Sequence, residues 1–502
     1  MSATPGDLGP ARVPAPAPPY TDPAARHELL ALDARLRSLS EIDRDIIRLA
    51  NTPGFARWLE QIHDVGGCAN PIYLSGWTRT LDPATGEALL SYTTADEPGE
   101  RLAVRCGNRR ASRCAPCSRL YQGDTFHLVR SGLSGGKGIP DTVAGHPRLF
   151  VTLTAPSFGP VHRSAPEQSE EPCRPRRDAR CCEHGARLGC GLVHAQDDPV
   201  VGTPLCPSCY DYTGHVLWHA HAGRLWDRFT TAVRRDLAQV LGLARARLRD
   251  HLVVSFAKVA EYQRRGAIHF HAVVRLDGPE GPRSAPPPWV LPGLLEECIR
   301  RAAAQVYVDT KELDAYGCYR LRWGEQLDAR PIRAFGDTGE TLRDDAVAGY
   351  VAKYVTKSAE VAGAVDYPIP SAANIPYLPV STHVRALVGT CWRLGGLPEL
   401  EPLRLRAWAH MLGYRGHCLT KSRAYSTTYG QLRAVRAAHR TGPPLTDSQT
   451  VTESAWRYVG HGYTPGEAEL AAGIAETITL NREIAREELA RERQGGRNGA
   501  TP

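Results

Sequence analysis

Two short stretches of the sequence hold side chains that suit phosphodiester chemistry. Residues 267–275 read AIHFHAVVR, and residues 349–357 read GYVAKYVTK. Side chains alternate between the two faces of an extended strand, so His269 and His271 share one face. Two imidazoles placed in this way can bind a divalent metal ion. The pattern is by itself also compatible with an ordinary, partly exposed strand.

A carboxylate that precedes the histidines is a candidate third ligand. Residues 251–261 and 267–276 predict two strands joined by the turn QRRG, which is a β-hairpin. A tight return places Glu261 beside His269. Two imidazoles and one carboxylate suit Mg²⁺ or Mn²⁺ that is held partly by a phosphate of the substrate. We therefore expect Glu261, His269 and His271 to hold a catalytic cation that polarises the scissile phosphate.

Two tyrosines supply candidate nucleophiles. A helix predicted near residues 343–358 places Tyr350 and Tyr354 one turn apart. Attack by a phenolate on a phosphodiester forms a phosphotyrosine and frees a hydroxyl, but a tyrosine with a pKa of about 10 needs a nearby cation to react at neutral pH. Lys353 and Lys357 each follow a tyrosine by three residues and are candidates to stabilise the phosphate or the leaving oxygen. The segment is also compatible with an amphipathic helix whose tyrosines lie at the edge of a core.

Fourteen cysteines indicate bound zinc, because closely spaced Cys and His in a chain without a secretory signal bind zinc more often than they form disulfides. Two CxxC pairs each have further candidate ligands nearby. The predicted zinc sites are Cys68, Cys106, Cys114 and Cys117, and then Cys182, Cys190, Cys206 and Cys209, with His184 or Cys173 as replacements or as members of a further site. Four isolated cysteines are predicted to be buried thiols, namely Cys298, Cys318, Cys391 and Cys418.

Positive charge is concentrated locally. The chain of 502 residues has a formal net charge of only +7, yet residues 402–440 contain eight Lys or Arg and no acid. Residues 101–130 contain seven Arg and one acid. Such clusters bind phosphates, although many are merely solvated surfaces. The candidate DNA contacts are Arg109, Arg110, Arg113, Arg415, Lys421 and Arg423.

Three motifs in order resemble a known superfamily. LFVTLT at 149–154, then HFH, then YVAKYVTK are similar to the motifs of HUH rolling-circle replication initiators, and the two-tyrosine form resembles the A proteins of small single-stranded DNA phages. Four flanking segments resemble the RepSA-like initiators of actinobacterial rolling-circle plasmids: RCGNRRASRCAPCSRLYQGD, LCPSCYDYTGH, WGEQLD and HMLGYRGHCLTKSRAYS. The resemblance implies an α+β HUH endonuclease fold, in which an antiparallel sheet is flanked by helices and the tyrosine helix lies across from the histidine strand.

The resemblance also implies a function. Such a protein nicks one strand at a plasmid origin, forms a 5′-phosphotyrosine and leaves a 3′-hydroxyl that primes synthesis. Origin DNA, single-stranded or extruded from the duplex, would be its substrate; a host polymerase and a host helicase would be its partners, since the sequence has no P-loop. Whether one or both tyrosines act stays open. The alternatives are a two-tyrosine HUH transposase and a non-enzymatic, zinc-containing DNA-binding regulator.

Composition and patterning predict the organisation of the chain. No stretch approaches the length of a membrane span and no signal peptide begins the chain, so a cytoplasmic location is expected. The predicted segments are a disordered N-terminus (1–22), a helical segment (23–65), a zinc-binding Arg-rich module (66–130), a nickase domain (145–360) with a zinc-binding insertion (160–215), a basic and helical DNA-binding region (361–490) and a disordered tail (491–502).

Overall fold

A computed structural model describes most of the chain, namely residues 34–35, 38–166, 169–176, 178, 180–333, 342–357, 359–441 and 450–498. The chain forms two compact units. Within the described residues, unit 1 combines those before Gly107 with those after residue 449, and unit 2 comprises those from Gly107 to residue 441. This division differs from the predicted one, because the predicted region 361–490 contributes to both units.

The chain forms helices and strands of very different lengths. The α-helices of ten residues or more are α1 (Glu41–Ala50), α2 (Phe55–Asp64), α3 (Ala115–Ser134), α4 (Tyr212–Val240), α5 (Pro292–Gln305), α6 (Asp344–Val355), α7 (Thr382–Leu394), α8 (Tyr429–Thr441) and α9 (Pro465–Asn498). The strands are β1 (Ile72–Leu81), β2 (Ala88–Thr93), β3 (Leu102–Val104), β4 (Arg148–Leu153), β5 (Val253–Tyr262), β6 (Ile268–Asp277), β7 (Tyr307–Asp309), β8 (Arg320–Arg322), β9 (Leu327–Arg333), β10 (Leu342–Arg343), β11 (Leu419–Lys421) and β12 (Val451–His461).

Unit 1 is built on a small antiparallel sheet. Strand β1 pairs with β12 on one side and with β2 and β3 on the other. Helices α1 and α2 pack against α9. Close packing requires glycine at position 67, where the backbone has a φ of +62° and a Cβ atom would lie 2.7 Å from the backbone nitrogen of Ala475. In its described part, the predicted helical segment 23–65 forms helices α1 and α2.

Unit 2 contains a six-stranded sheet with the strand order β10-β9-β4-β6-β5-β11. Neighbouring strands are antiparallel, except for the parallel pair β9 and β10. The face of β6 that carries Phe270 and Val274 is buried, as the alternation of its sequence predicts, and the histidine face is largely buried as well. Phe270 and Val274 belong to the larger core with α4 and α5, whereas Val273 belongs to a second core with α3 and α6. The sheet is thus covered by helices on both faces, and the chain is of mixed α+β class.

Both ends of the chain were predicted to be disordered. The predicted segment 1–22 lies outside the described residues. The predicted tail from residue 491 is helical as far as Asn498, the last residue of α9, and only residues 499–502 lie outside the description. Within the described residues, none of the helices has an apolar stretch long enough to cross a membrane.

Candidate active site

The hairpin of β5 and β6 brings the three predicted metal ligands together. Glu261 is paired with His269 in the strand register. One carboxylate oxygen of Glu261 lies 3.0 Å from Nε2 of His269 and 2.7 Å from Nε2 of His271. The two Nε2 atoms are 3.1 Å apart. The positions of these side chains follow from the alternation along each strand, which places every second residue on the same face.

The chemistry of this triad fits a divalent cation. Burial acts to raise the pKa of Glu261, but the hydrogen bonds and charges of His269 and His271 outweigh it and lower the pKa to about 2. Burial also lowers the pKa of His271. At neutral pH Glu261 is therefore ionised and His271 neutral, which are the forms that bind metal ions. Two imidazole nitrogens and a carboxylate oxygen that converge this closely match a mixed nitrogen and oxygen ligand set.

Strand β4 orients the histidine at the centre of the triad. Thr152 is the register partner of His271, and its Oγ1 lies 3.0 Å from Nδ1 of that histidine. The Phe150 ring stacks on the His271 ring with an interplanar angle of 4°. A hydrogen bond at Nδ1 leaves Nε2 available for a metal ion. Thr152 was not predicted from the sequence, although its position in LFVTLT opposite HFH is the signal that strand pairing provides.

Helix α6 carries Tyr350 over the triad. The hydroxyl oxygen of Tyr350 lies 3.2 Å from Nε2 of His271, and 37 % of the residue is exposed. Burial, followed by the negative charge of Glu261, raises the pKa of Tyr350. A cation bound beside Glu261 would oppose the second effect and favour the phenolate. Tyr350 is therefore close enough to the triad to attack a phosphate bound there.

Tyr354 lies one turn further along the helix beside both predicted lysines. Its ring centroid is 4.5 Å from that of Tyr350 and 6.0 Å from that of His271. The ammonium nitrogens of Lys353 and Lys357 lie 5.7 Å and 4.7 Å from its ring centroid. The two phenols thus share one site but differ in surroundings, because Tyr350 faces the triad and Tyr354 lies between the triad and the lysines.

A buried ion pair and a hydrogen bond fix the first turn of the tyrosine helix. A guanidinium nitrogen of Arg148 on β4 lies 3.1 Å from a carboxylate oxygen of Asp344, and both residues are buried. Ser134 at the end of α3 donates a hydrogen bond of 2.8 Å to Asp344. Negative charge at a helix N-terminus also interacts favourably with the helix dipole. Helix α6 is thus attached both to the sheet and to α3.

Arg109 holds the other end of the helix. Its guanidinium donates hydrogen bonds of 3.1 Å to the carbonyl of Val355 and 2.9 Å to that of Lys357. Carbonyls at a helix C-terminus lack partners within the helix, and a cation satisfies them well. Arg109 was predicted to contact DNA. In the structure its side chain holds the end of the helix that carries the tyrosines, and its contact with DNA stays a prediction.

The neighbouring predicted arginines contact the segment that follows the helix. Arg110 donates to the carbonyl of Asp366 and lies 3.7 Å from a carboxylate oxygen of Glu360. Arg113 forms an ion pair of 2.6 Å with the side chain of Asp366. These contacts give both arginines a role within the protein. Their contact with DNA stays a prediction.

The basic residues predicted after residue 402 are in three different settings. Arg415 donates to the carbonyl of Pro402 at 2.7 Å. Lys421 donates to the carbonyl of Ser426 at 2.9 Å, and burial lowers its pKa. Arg423 lines a surface cleft. Arg423 is therefore the best placed of these three for a contact with DNA, which also stays a prediction.

The first predicted zinc site draws on two short stretches of chain. In unit 1, the backbone nitrogen of Cys106 donates to Sγ of Cys68 at 3.4 Å. In unit 2, Cys114 and Cys117 are buried at the first turn of α3. The four-thiolate site stays a prediction.

The second predicted zinc site has a different composition from the expected one. Cys182, Cys206 and Cys209 lie together as predicted, but the fourth member is His184, whose Nδ1 is 3.2 Å from Sγ of Cys209. The choice of Cys190 as a ligand of this group is wrong. Backbone pairing of the insertion directs its thiol to His194 instead, with Sγ 3.3 Å from Nε2. Spacing along a loop could not distinguish these arrangements.

The isolated cysteines were all predicted to be buried. Cys298 and Cys391 are buried and Cys418 is partly buried. Cys318 is exposed, so the prediction is wrong for that residue. It follows the turn before β8.

A basic cleft opens at the turn between β5 and β6. It has a volume of about 1030 Å³ and is lined by the turn, the start of the loop after β4, the insertion and β8. Its lining includes more arginines than acids, namely Arg163, Arg174, Arg264, Arg265, Arg320 and Arg322 against Asp211 and Glu325. Phe158 and Trp323 also line it. The lining includes Gln263, Arg264 and Arg265 of the turn that joins the strand of Glu261 to that of His269, but none of the three triad residues.

Comparisons with known proteins agree with the motifs. The family model described as RepSA, replication initiator protein, pSAM2, matches residues 54–476. The chain belongs to the RepSA family of replication initiators. A replication initiator protein of Streptomyces ambofaciens is 50 % identical over 455 residues, which cover 88 % of this chain and 95 % of that protein. These matches confirm the predicted resemblance to RepSA-like replication initiators. No solved structure matches significantly.

Proposed function

We propose that this replication initiator is a metal-dependent endonuclease of the HUH type that nicks one strand of plasmid origin DNA. The observation that carries the proposal is the Tyr350 hydroxyl, 3.2 Å from Nε2 of His271 within the triad of Glu261, His269 and His271. A nucleophile, a ligand set for a cation and a basic cleft for a polyanion are the components such a reaction needs. Their arrangement on a central strand and an opposing helix is the one that the HUH resemblance implies.

The proposed reaction exchanges one phosphoester for another. A divalent cation held by the triad would polarise the scissile phosphate. The oxygen of Tyr350 bonds to phosphorus while the bond between phosphorus and the 3′ oxygen breaks. The phenol proton leaves to solvent and the departing 3′ oxygen takes up a proton from solvent. The 5′ end stays on the tyrosine and the free 3′-hydroxyl is available to a host polymerase.

Tyr350 is the proposed first nucleophile and Tyr354 the second. Tyr350 is the closer of the two to His271. Tyr354, beside Lys353 and Lys357, is placed to cleave the regenerated site after one round of synthesis. The ammonium groups would offset charge on the phosphate or on the leaving oxygen. A host helicase would open the duplex, since the sequence has no P-loop.

The basic cleft is the proposed path of the single strand. Arg265 donates to the carbonyls of Ala155 and Pro156, and Arg264 is exposed on the same turn. Guanidinium groups bind phosphates, and aromatic side chains stack on unpaired bases. Replacing Arg264 with alanine is expected to weaken binding of origin DNA without changing the residue that forms the adduct.

Zinc is the proposed structural cofactor of the insertion. Three thiols and one imidazole converge at Cys182, His184, Cys206 and Cys209. Tetrahedral zinc is commonly bound by such a set. A zinc ion there would stabilise a loop-rich segment that buries few apolar side chains.

Incubation with supercoiled plasmid that carries the cognate origin, in the presence of Mn²⁺, tests the proposal. The expected products are a nicked circle and a covalent adduct between protein and DNA. Tyr350→Phe should remove the adduct formed in the first cleavage. Tyr377→Phe is the matched control, because Tyr377 is a surface tyrosine that is 86 % exposed. An intact plasmid with no adduct would refute the enzymatic function and leave the non-enzymatic regulator as the better account.

A transposase with the same chemistry is the second candidate. The name of the Streptomyces relative, a replication initiator protein, supports the initiator. Cleavage of the plasmid origin but not of insertion-element ends is the expected outcome, and the opposite preference would favour the transposase.

A further inference from the structure

A second group of potential zinc ligands lies in the insertion and includes Cys190, the residue that the sequence had assigned elsewhere. His162, Cys173, Cys190 and His194 place one ligand atom each within 4.8 Å of one another. Sγ of Cys190 is 3.3 Å from Nε2 of His194, and Sγ of Cys173 is 4.0 Å from Nδ1 of His162. The two imidazole rings are nearly perpendicular, with centroids 5.2 Å apart.

Neighbouring groups orient these ligands toward a common centre. The carboxylate of Asp198 lies 2.8 Å from Nδ1 of His194, so that Nε2 faces the two thiols. The backbone nitrogen of Arg163 donates to Sγ of Cys173 at 3.3 Å. A carboxylate behind a histidine and an amide that points at a sulfur are the usual supports of a zinc centre. Cys173 and His194 are buried, so water does not compete at these two positions.

The chain around this group has little other means of holding its shape. Between β4 and α4 the described residues form isolated bridges and one short 3-10 helix, Pro207–Cys209. Backbone hydrogen bonds join Cys173 to Leu192 and Gly191, and Ala165 to His194. These pairings bring the two halves of the insertion together at the four ligands. A metal ion bound there would join distant parts of a loop and contribute directly to its folding.

We propose that His162, Cys173, Cys190 and His194 bind a structural zinc ion, separate from the group of Cys182, and that this ion holds one wall of the basic cleft. Two sulfurs and two nitrogens form a common tetrahedral zinc site. His162, Arg163 and Arg174 line the cleft, and the two arginines are the immediate neighbours of His162 and Cys173. The zinc assignment stands on the ligand geometry alone. The role of the wall in DNA binding rests on the proposed function.

Zinc analysis of the purified full-length protein tests the metal site. Cys190→Ser and His162→Ala should each lose one zinc ion per chain relative to the wild type. Cys190→His, which keeps a ligand at that position, should retain the ion. His251→Ala is the histidine control, because His251 is exposed and outside the insertion. An unchanged zinc content in both Cys190→Ser and His162→Ala would overturn the site.

Binding of single-stranded origin DNA tests the role of the wall. If both Arg163 and Arg174 contact phosphates, His162→Ala should weaken binding and lower the slope of log affinity against log salt by up to about 1.4, at about 0.7 for each phosphate contact. Loss of zinc with unchanged DNA binding would refute the wall and leave the metal site intact. If the proposed nicking function is wrong, this shows in a different experiment, the adduct assay with Tyr350→Phe. The outcomes of the two proposals are therefore distinguishable.

Discussion

Arg109 provides a sharp test of how the tyrosine helix is positioned. The sequence placed this residue in an arginine cluster with a predicted role in DNA binding, whereas the structure directs its guanidinium to the carbonyls of Val355 and Lys357. Arg109→Ala removes both hydrogen bonds at the C-terminal end of α6. We expect this end of the helix to loosen, and the reaction of Tyr354, which lies next to Val355, to be impaired.

The contacts set the expected size of the effect. Hydrogen bonds that involve a charged group contribute about 1.5–3 kcal/mol each, and a partly exposed pair is expected at the low end. Two such bonds give a loss of about 3 kcal/mol in the free energy of unfolding of unit 2. At about 2 °C per kcal/mol for a large domain, the melting temperature should fall by about 6 °C.

Calorimetry and DNA binding together separate the two roles of Arg109. Arg119→Ala is the control, because Arg119 is an exposed arginine on α3. The structure predicts a lower melting temperature for Arg109→Ala and an unchanged salt dependence of DNA binding. A phosphate contact predicts the reverse, with the melting temperature unchanged and the salt slope lowered by about 0.7 to 0.9. That second result would refute the assignment of Arg109 as a positioning residue.

Further expectations concern the metal ligand, the second tyrosine and pH. Thr152→Val removes the hydroxyl at Nδ1 of His271, so half-maximal nicking should need about tenfold more Mn²⁺, and an unchanged Mn²⁺ titration would contradict this support. Lys357→Gln should reduce the yield of adduct on Tyr354, and equal yields in peptide mapping would exclude that role. Burial lowers the pKa of His219 to about 3. This histidine therefore stabilises the fold above about pH 6.5. The fold loses about 2 kcal/mol of that contribution by about pH 5, because the unfolded chain takes up a proton there. Equal free energies of unfolding at these two pH values, measured by denaturant unfolding, would contradict the burial of His219.

The sequence was most informative where local periodicity decides the structure. The alternation around His269 and His271 predicts a strand buried on its second face, and Phe270 and Val274 occupy that core. The hairpin turn predicts the register that pairs Glu261 with His269. These elements are adjacent in the chain, so their geometry follows from the turn and the period of two.

The residues that orient the site were harder to predict, because they come from distant parts of the chain. Thr152 reaches His271 only after β4 pairs with β6. Arg148 and Asp344 meet across 196 residues, and nothing in their local sequence identifies them as a buried pair. Long-range pairing of this kind depends on sheet topology, which one sequence specifies weakly.

The zinc ligands show the same limit within a loop. CxxC spacing predicts Cys206 and Cys209 as a pair, and the structure keeps them together. Cys190 lies in the same loop but belongs to another group, since the loop folds back and pairs Cys173 with Leu192. Ligand identity in such a segment depends on backbone turns rather than on spacing.

Mapping of the covalent adduct is the most direct test of the central claim, that Tyr350 attacks a phosphate bound beside Glu261, His269 and His271. The wild-type protein is incubated with origin DNA and Mn²⁺, digested with protease, and the peptide that carries the 5′ phosphate is sequenced by mass spectrometry. The account predicts DNA linked to Tyr350 after the first cleavage, with loss of the adduct when His271 is replaced by alanine. DNA linked after the first cleavage to Tyr354 or to any other residue than Tyr350, or an adduct that survives His271→Ala at the wild-type yield, would contradict it.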